Sequence, residues 1–214
     1  RVNFQNTKLF RFSHFLGIRV HKYFLIFLIF LSFSSSLYAF SDAEIIERAK
    51  QGYAEEQLTL AVMYTEGVGV QKNMAEAIKW FEKAANQENT DALFMLGAIY
   101  QNGMGVSVNL NKAANLYQKA SNKGDIVATR ELATMYLSGN GVVKNPAKAV
   151  SLFTQAANKG DITAQTKLGL MYVRGIFVKK DITKGMSLLR SSALKGDKDA
   201  LYFIEKYNKE NIVK

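Results

Sequence analysis

Apolar and small side chains recur along the chain at intervals of three and four residues, which places them on one face of an α-helix. Leu60 and Tyr64 form such a face, and Ala77, Phe81 and Ala84 form another a short way on. Glycines separate the two stretches, and glycine permits the left-handed backbone that a tight reversal needs. The pattern therefore predicts two helices joined by a glycine-rich turn.

This helix pair repeats every 36 residues, and the repeats align without gaps. The aligned columns include Tyr64, Tyr100, Tyr136 and Tyr172; Gly67, Gly103, Gly139 and Gly175; and Leu60, Leu96, Leu132 and Leu168. Internal repeats of this kind are typical of solenoids, in which each unit buries its apolar face against its neighbours. The sequence predicts an all-α fold, a right-handed α-solenoid (α/α superhelix) of two-helix repeats. The repeats are predicted at 53–88, 89–124, 125–160 and 161–196.

Short polar residues mark the predicted start of each helix in the repeats, because their side chains accept hydrogen bonds from the free amides of the first turn. These residues are Asn73, Asn109, Asn145 and Asp181 before second helices, and Asn89, Asp125, Asp161 and Asp197 before first helices. A capping box from Ser41 to Glu44 predicts an N-terminal capping helix within residues 40–52. Residues 197–207 are predicted to form a C-terminal half-repeat cap, followed by a polar tail at 208–214.

Residues 1–39 have the composition of a secretory signal peptide with an extended basic region. They carry five basic groups and no acid, an apolar run from Tyr23 to Leu31, and a small residue at Ala39. The apolar run is shorter than the roughly 20 residues that span a bilayer. We expect cleavage after Ala39, which gives a secreted or periplasmic chain with no stable membrane span. If this segment is not cleaved, it anchors the chain to a membrane.

Several motifs resemble those of the Sel-one-like repeat family, which are tetratricopeptide-like α-solenoids. They include Leu96-Gly97-Ala98-Ile99-Tyr100 and the Gly-x-Gly-Val turns at Gly67 and Gly103. The fourth repeat departs most from this pattern, because Phe177 replaces the second turn glycine and Gly185 replaces a helix alanine. The resemblance implies an adaptor that binds other proteins, and in bacteria it includes envelope functions and contacts with host cells.

The composition excludes most catalytic chemistry from the predicted mature chain. There is no Cys, and the two histidines, His14 and His21, lie in the leader, so neither a Ser-His-Asp triad nor a zinc site with His or Cys ligands can form. We therefore predict no enzyme, no catalytic or metal-binding residue and no cofactor. Ser192-Ala193-Leu194-Lys195 does match the Ser-x-x-Lys motif of penicillin-binding proteins and serine β-lactamases. It leaves open an envelope protein that binds peptidoglycan or β-lactams with weak hydrolase-like activity.

Despite the formal net charge of +10 we predict no nucleic-acid partner, because five of the basic groups belong to the leader. The lysines of the second helices (Lys79, Lys112, Lys148 and Lys184) are expected to form a solvated face. First helices line the concave surface of two-helix solenoids, so their variable positions are the candidate binding residues. We call them the first-helix strip: Glu55, Thr59, Val62, Glu66, Asp91, Met95, Asn102, Glu131, Ser138, Lys167 and Arg174. The strip runs from acidic to basic, which predicts that it orients a protein or peptide partner of the reverse polarity. We expect the protein to be a monomer.

Overall fold

The computed structural model describes residues 40–212, so the predicted signal peptide at 1–39 lies outside the described residues. Ten α-helices and no strand occur between residues 40 and 212. They are α1 (Asp42–Gln51), α2 (Ala54–Glu66), α3 (Met74–Asn86), α4 (Thr90–Asn102), α5 (Leu110–Asn122), α6 (Ile126–Ser138), α7 (Pro146–Asn158), α8 (Ile162–Arg174), α9 (Ile182–Leu194) and α10 (Lys198–Ile212). This confirms the predicted all-α repeat fold. None of the described helices is long and apolar enough to cross a bilayer.

The chain divides into two compact units, residues 1–44 and residues 45–214. Of the first unit only residues 40–44 are described, and there the amide of Glu44 donates to Ser41 Oγ at 3.2 Å, as the predicted capping box requires. The second unit contains four hairpins, α2–α3, α4–α5, α6–α7 and α8–α9, followed by α10. From α2 to α10 each helix packs against the next helix in the chain. One core of buried side chains therefore continues from Leu58 to Met171.

All eight predicted capping side chains are in place, whereas α2 begins after Tyr53 without a side-chain cap. Each capping side chain accepts a hydrogen bond from a backbone amide three residues on. The first helices end at Gly67, Gly103, Gly139 and Gly175, whose φ angles of 68° to 84° are left-handed. Sequence and backbone therefore agree at both ends of the helices.

The second position of the turn inside each hairpin is also left-handed, with φ of 70° to 72° at Gly69, Gly105 and Gly141. At Gly105 packing adds a second requirement, because a Cβ there would lie 2.5 Å from Cγ of Met74 in the preceding repeat. Phe177 adopts the same conformation, with φ 63°. The departure of the fourth repeat from the family pattern therefore leaves the turn backbone unchanged.

Two columns of core residues, 20 positions apart, compensate each other in size. Gly97 faces Tyr117, and Gly169 faces Leu189; a Cβ on either glycine would lie within 2.9 Å of the facing side chain. In the first and third repeats the equivalent pairs are Ala61 with Phe81 and Ala133 with Phe153, all fully buried. The larger ring of Tyr117 is thus matched by glycine and the phenylalanine rings by alanine, whereas Leu189 faces a glycine that also lies against the backbone of Gly185.

The C-terminal helix differs from the prediction, because α10 continues to Ile212 and not to residue 207. The predicted tail at 208–214 was inferred from its polarity, but polar residues without Gly or Pro do not end a helix. Lys206 and Glu210 add an (i, i+4) pair at 4.0 Å along this segment. Glu205 occupies the α10 position that corresponds to Ala61 and Gly97, and it is exposed, since within residues 40–212 no second helix follows α10.

Candidate partner-binding surface

The first-helix strip is accessible along its whole length. Glu55, Asp91, Asn102, Ser138 and Arg174 are exposed, and the other strip residues are half-buried. None of them belongs to the buried core. The strip therefore meets the first requirement for a binding surface, which is contact with solvent.

Several polar side chains of the strip already use their donors within their own helix. Thr59 Oγ1 donates to the carbonyl oxygen of Glu55 at 2.9 Å, and Asn102 Nδ2 donates to that of Ala98 at 2.8 Å. Ser138 Oγ donates to the carbonyl oxygen of Thr134 at 3.0 Å. These groups stay available chiefly as acceptors, so the charged members of the strip dominate what it offers a partner.

Two carboxylates of the strip, Glu55 and Glu131, contact other polar side chains. Glu55 Oε1 accepts from Nδ2 of Asn89, the capping residue of α4, at 2.8 Å. Arg130 binds Glu131 at 2.8 Å and Asp161, the capping residue of α8, at 3.3 Å. The charge of Glu131 is thus offset, whereas among residues 40–212 no ion pair within 4.0 Å involves Glu55.

The acidic end of the strip is partly withdrawn from water. Burial raises the pKa of Glu66 above its usual value, although nearby Lys72 opposes this rise. Asp91 is more exposed than Glu66, and the partial burial of its carboxyl group also raises its pKa. The pKa of Asp125, the capping residue of α6, is raised by burial and further by the charge of Asp91. A cation from a partner would interact more strongly with such carboxylates than with fully hydrated ones.

The charge gradient extends beyond the strip to the whole repeat array. Residues 42–91 contain ten acidic and five basic side chains, whereas residues 92–196 contain four acidic and fourteen basic ones. Three of those four acids, Asp125, Asp161 and Asp181, cap helices. The first repeat is therefore acidic and the later repeats basic. Sequence reasoning had located this gradient only on the strip, although a count of charges per repeat would have revealed the rest.

The four second-helix lysines are exposed, as a solvated face requires, and three of them also contact tyrosines. Lys112, Lys148 and Lys184 donate to the hydroxyls of Tyr100, Tyr136 and Tyr172 at 2.5, 2.6 and 2.8 Å. The lysines follow the tyrosines by twelve residues in each of these repeats, and Glu76 takes that place in the first repeat. Sequence reasoning missed these three lysine–tyrosine hydrogen bonds because it treated the tyrosine and lysine columns separately.

Ser192 does not have the surroundings of a catalytic nucleophile. It is fully buried, its Oγ donates to the carbonyl oxygen of Leu189 at 3.0 Å, and Thr166 donates to it at 2.9 Å. Lys195 Nζ instead donates to Gln165 Oε1 at 3.3 Å. No group of three or more metal-ligating side chains occurs between residues 40 and 212. The Ser-x-x-Lys match is thus part of the helix packing.

Stacked helical hairpins with left-handed glycine turns and an accessible first-helix strip define the class of protein, an α-solenoid of two-helix repeats. The chain belongs to the Sel1 repeat family, with repeats matched at residues 57–89, 90–125, 126–161 and 162–197. The resemblance seen in the sequence is confirmed. Proteins of this family are generally non-enzymatic scaffolds for protein–protein interaction.

Two solved structures illustrate the likeness. One is a protective antigen present in uropathogenic Escherichia coli strains that displays an SLR fold; it is 32% identical, with a TM-score of 0.74 over 78% of this chain and 36% of the antigen. The other, a Sel1 repeat protein from Oxalobacter formigenes, is 34% identical, with a TM-score of 0.69 over 74% of this chain and 65% of that one. The matches thus span about a third and just under two thirds of these proteins. No curated protein matches the chain.

Proposed function

We propose that this protein is an exported scaffold that binds an extended protein or peptide segment along the first-helix strip. The observation that carries the proposal is the separation of charge along accessible first helices. Glu66 and Asp91 lie at one end of the strip, and Lys167 and Arg174 lie at the other. A partner with the reverse distribution of charge would be steered into one orientation.

Contacts of the basic residues support this role. Lys167 Nζ lies 5.6 Å from the ring centre of Phe153, and the guanidinium of Arg174 lies 5.5 Å from that of Phe203. An aromatic ring positions a cation without cancelling its charge. Both groups are therefore held in place and can still pair with carboxylates of a partner.

Export rests on the signal-peptide pattern of residues 1–39, and it would place the scaffold in the periplasm or outside the cell. The similar Escherichia coli protein is a protective antigen. This supports an adaptor role in the envelope or in contact with a host. The N-terminus of the protein purified from its native cells, measured by mass spectrometry, tests the export step. A chain that begins at Phe40 supports it, and a chain that retains residues 1–39 would leave a membrane anchor.

Charge reversal tests the binding surface. A variant with Glu55→Lys, Glu66→Lys, Lys167→Glu and Arg174→Glu keeps the net charge and should lose the partners that the unaltered chain captures from envelope or host extract. Quantitative mass spectrometry of the captured proteins gives the readout. We expect at least a tenfold loss, since each disrupted charge pair at an interface is typically worth about 1 kcal/mol or more.

The control variant changes charges on second helices, away from the strip. Lys119→Glu and Arg190→Glu reverse two exposed side chains on α5 and α9. This variant should capture the same partners as the unaltered chain. If the strip variant retains every partner, or the control loses them equally, the first-helix strip is not the binding site.

A further inference from the structure

The turns inside the four hairpins occupy equivalent positions in the repeats of the second unit. We call residues 67–73, 103–109, 139–145 and 175–181 the loop edge. Met74, the first residue of α3, lies beside Gly105 of the next turn, and Leu110 lies in the same way beside Gly141. The second and third turns therefore each lie against the start of the second helix in the preceding repeat, and the repeat pattern places the fourth turn at the same end of its hairpin.

Exposed apolar side chains are concentrated on this edge. Of the eleven large apolar side chains exposed between residues 40 and 212, five lie in these turns: Val68, Val108, Val143, Ile176 and Phe177. Val143 is the most open of the five, with 88% of its surface exposed. Apolar side chains gathered at one exposed edge mark a surface that meets a partner or a membrane.

No contact within the described part of the folded chain explains why a phenylalanine stands at position 177. Its φ of 63° is one that glycine adopts freely and that other residues adopt at a cost, and the other three repeats have glycine there. The ring is half exposed, so burial does not offset this cost. Strained residues that persist without a structural reward point to a functional contact.

The charges of the loop edge have one predominant sign in the third and fourth repeats. Lys144, Lys179 and Lys180 lie in these two turns, and the only carboxylate is that of Asp181, whose Oδ1 accepts from the amide of Lys184. In the first turn, by contrast, nearby Glu66 offsets Lys72. The turns at the opposite ends of the helices mix the two signs, because the carboxylates of Asp125, Asp161 and Asp197 each lie two residues after a lysine.

We propose that the loop edge of the third and fourth repeats docks on an anionic phospholipid surface. Phe177, Ile176 and Val143 enter the headgroup region, and the three lysines contact lipid phosphates. A bilayer interface offers phosphates to the lysines and acyl chains to the exposed apolar tips at the same depth. The proposal rests on the turns alone and does not depend on the proposed function.

The absence of Cys allows a direct test in the full chain, because one introduced cysteine is labelled uniquely. Val143→Cys places an environment-sensitive NBD fluorophore on the loop edge. Leu194→Cys places it at the other end of a second helix, where the side chain is 90% exposed. With vesicles of phosphatidylcholine and phosphatidylglycerol, we expect a blue-shifted, brighter emission from position 143 and no change from position 194. Vesicles of phosphatidylcholine alone should leave both labels unchanged.

Two variants in the Val143→Cys background separate the apolar and charged contributions. Phe177→Gly installs the residue of the other repeats and should weaken the vesicle affinity roughly tenfold, since the ring loses its apolar contact. Lys179→Gln with Lys180→Gln should weaken it by roughly 30-fold, at about 1 kcal/mol for each lysine near an anionic surface. Lys83→Gln on α3 removes a cation from the acidic first repeat and should have no effect.

Three results would overturn the proposal. If the emission changes equally at positions 143 and 194, the loop edge has no specific contact with anionic lipid. The same conclusion follows if vesicles of phosphatidylcholine alone give the full response. A full response to polyglutamate without lipid would instead identify an acidic polypeptide as the partner of this edge.

Discussion

The size of single core side chains determines how closely the two helices of each hairpin approach. Tyr117 is fully buried against Gly97, and its hydroxyl donates to Gln101 at 2.6 Å. The glycine has an ordinary helical backbone, so its role is to leave space for the ring. In the third repeat the smaller ring of Phe153 leaves space for Ala133.

Gly97→Ala should therefore destabilise the protein although alanine favours helices. The new Cβ would lie 2.6 Å from Cε1 of Tyr117, which forces the ring or the helix to move. We expect a loss of about 1–3 kcal/mol in the free energy of unfolding, as is typical of overpacked cores. Urea denaturation measures this change. An unchanged or greater stability would show that the hairpin accommodates the methyl group.

The sequence predicted which positions are small, but not this exchange of size between columns. Gly97 and Ala61 share one column, and both were simply small residues in a repeat pattern. Which side chain each of them faces depends on the crossing of two helices, and that geometry is not written in the spacing. The same limit hid the contacts of Lys112, Lys148 and Lys184 with tyrosines.

At the scale of the helix, caps and turns were predictable because they depend on local chemistry. A short polar side chain before a helix can satisfy amides within the same turn, whatever packs on the helix. The surroundings of a cap were not predictable. Asn89 donates a hydrogen bond to Glu55, and Asp161 forms an ion pair with Arg130. Asp125, in contrast, lies near the like charge of Asp91.

Asp125→Asn should make the protein more stable at neutral pH. The pKa of Asp125 is raised in the folded state, so its contribution to stability is full below the unfolded pKa and is lost as the pH rises through the folded pKa. Asparagine keeps the cap, as Asn89 does in the first repeat, and removes the buried charge. Urea denaturation should show an advantage over the unaltered chain that shrinks as the pH falls into the acidic range.

Asp161→Asn is the matched control for this change. Asp161 pairs with Arg130, so its replacement removes a partner of that guanidinium and should lower stability at neutral pH. If Asp125→Asn is instead less stable than the unaltered chain at neutral pH, the hydrogen bonds that the charged carboxylate accepts from the α6 amides outweigh the cost of burying its charge.

Phe177→Gly should stabilise the hairpin turn of the fourth repeat. The residue is left-handed, with φ 63°, and glycine adopts this conformation without the steric cost of a side chain. We expect a gain of about 1 kcal/mol in the free energy of unfolding, measured by urea denaturation. A loss of stability would mean that the half-exposed ring makes packing contacts that exceed the strain.

At the scale of the whole molecule, the main packing from α2 to α10 is between helices that are consecutive in the chain. Polar contacts also reach one helix further, as between Lys112 of α5 and Glu82 of α3 at 3.3 Å. Because most contacts are local in this way, stability is expected to be a sum of local terms. The array was predictable from the 36-residue period because each unit needs a neighbour to cover its apolar face. The C-terminal boundary of the array was less predictable, because α10 ends beyond the last repeated column.

Leu189→Ala should weaken the C-terminal hairpin and spare the first one. Leu189 is fully buried, and its truncation should cost about 2–5 kcal/mol. Amide hydrogen exchange should accelerate in α8 and α9, while α2 and α3 keep their protection. Leu60→Ala, which empties a buried site in α2, should give the mirror pattern. Equal loss of protection in all helices after either change would mean that the array unfolds as one unit.

The fit between Gly97 and Tyr117 limits how this chain can be recombined. Exchanging α5 for α3 alone would set the tyrosine against Ala61 and leave an empty space between Gly97 and Phe81. Exchanging an entire 36-residue unit would move both partners together and preserve each fit. The smallest interchangeable piece of the protein is therefore the hairpin, and duplication or shuffling of its gene would succeed in steps of that length.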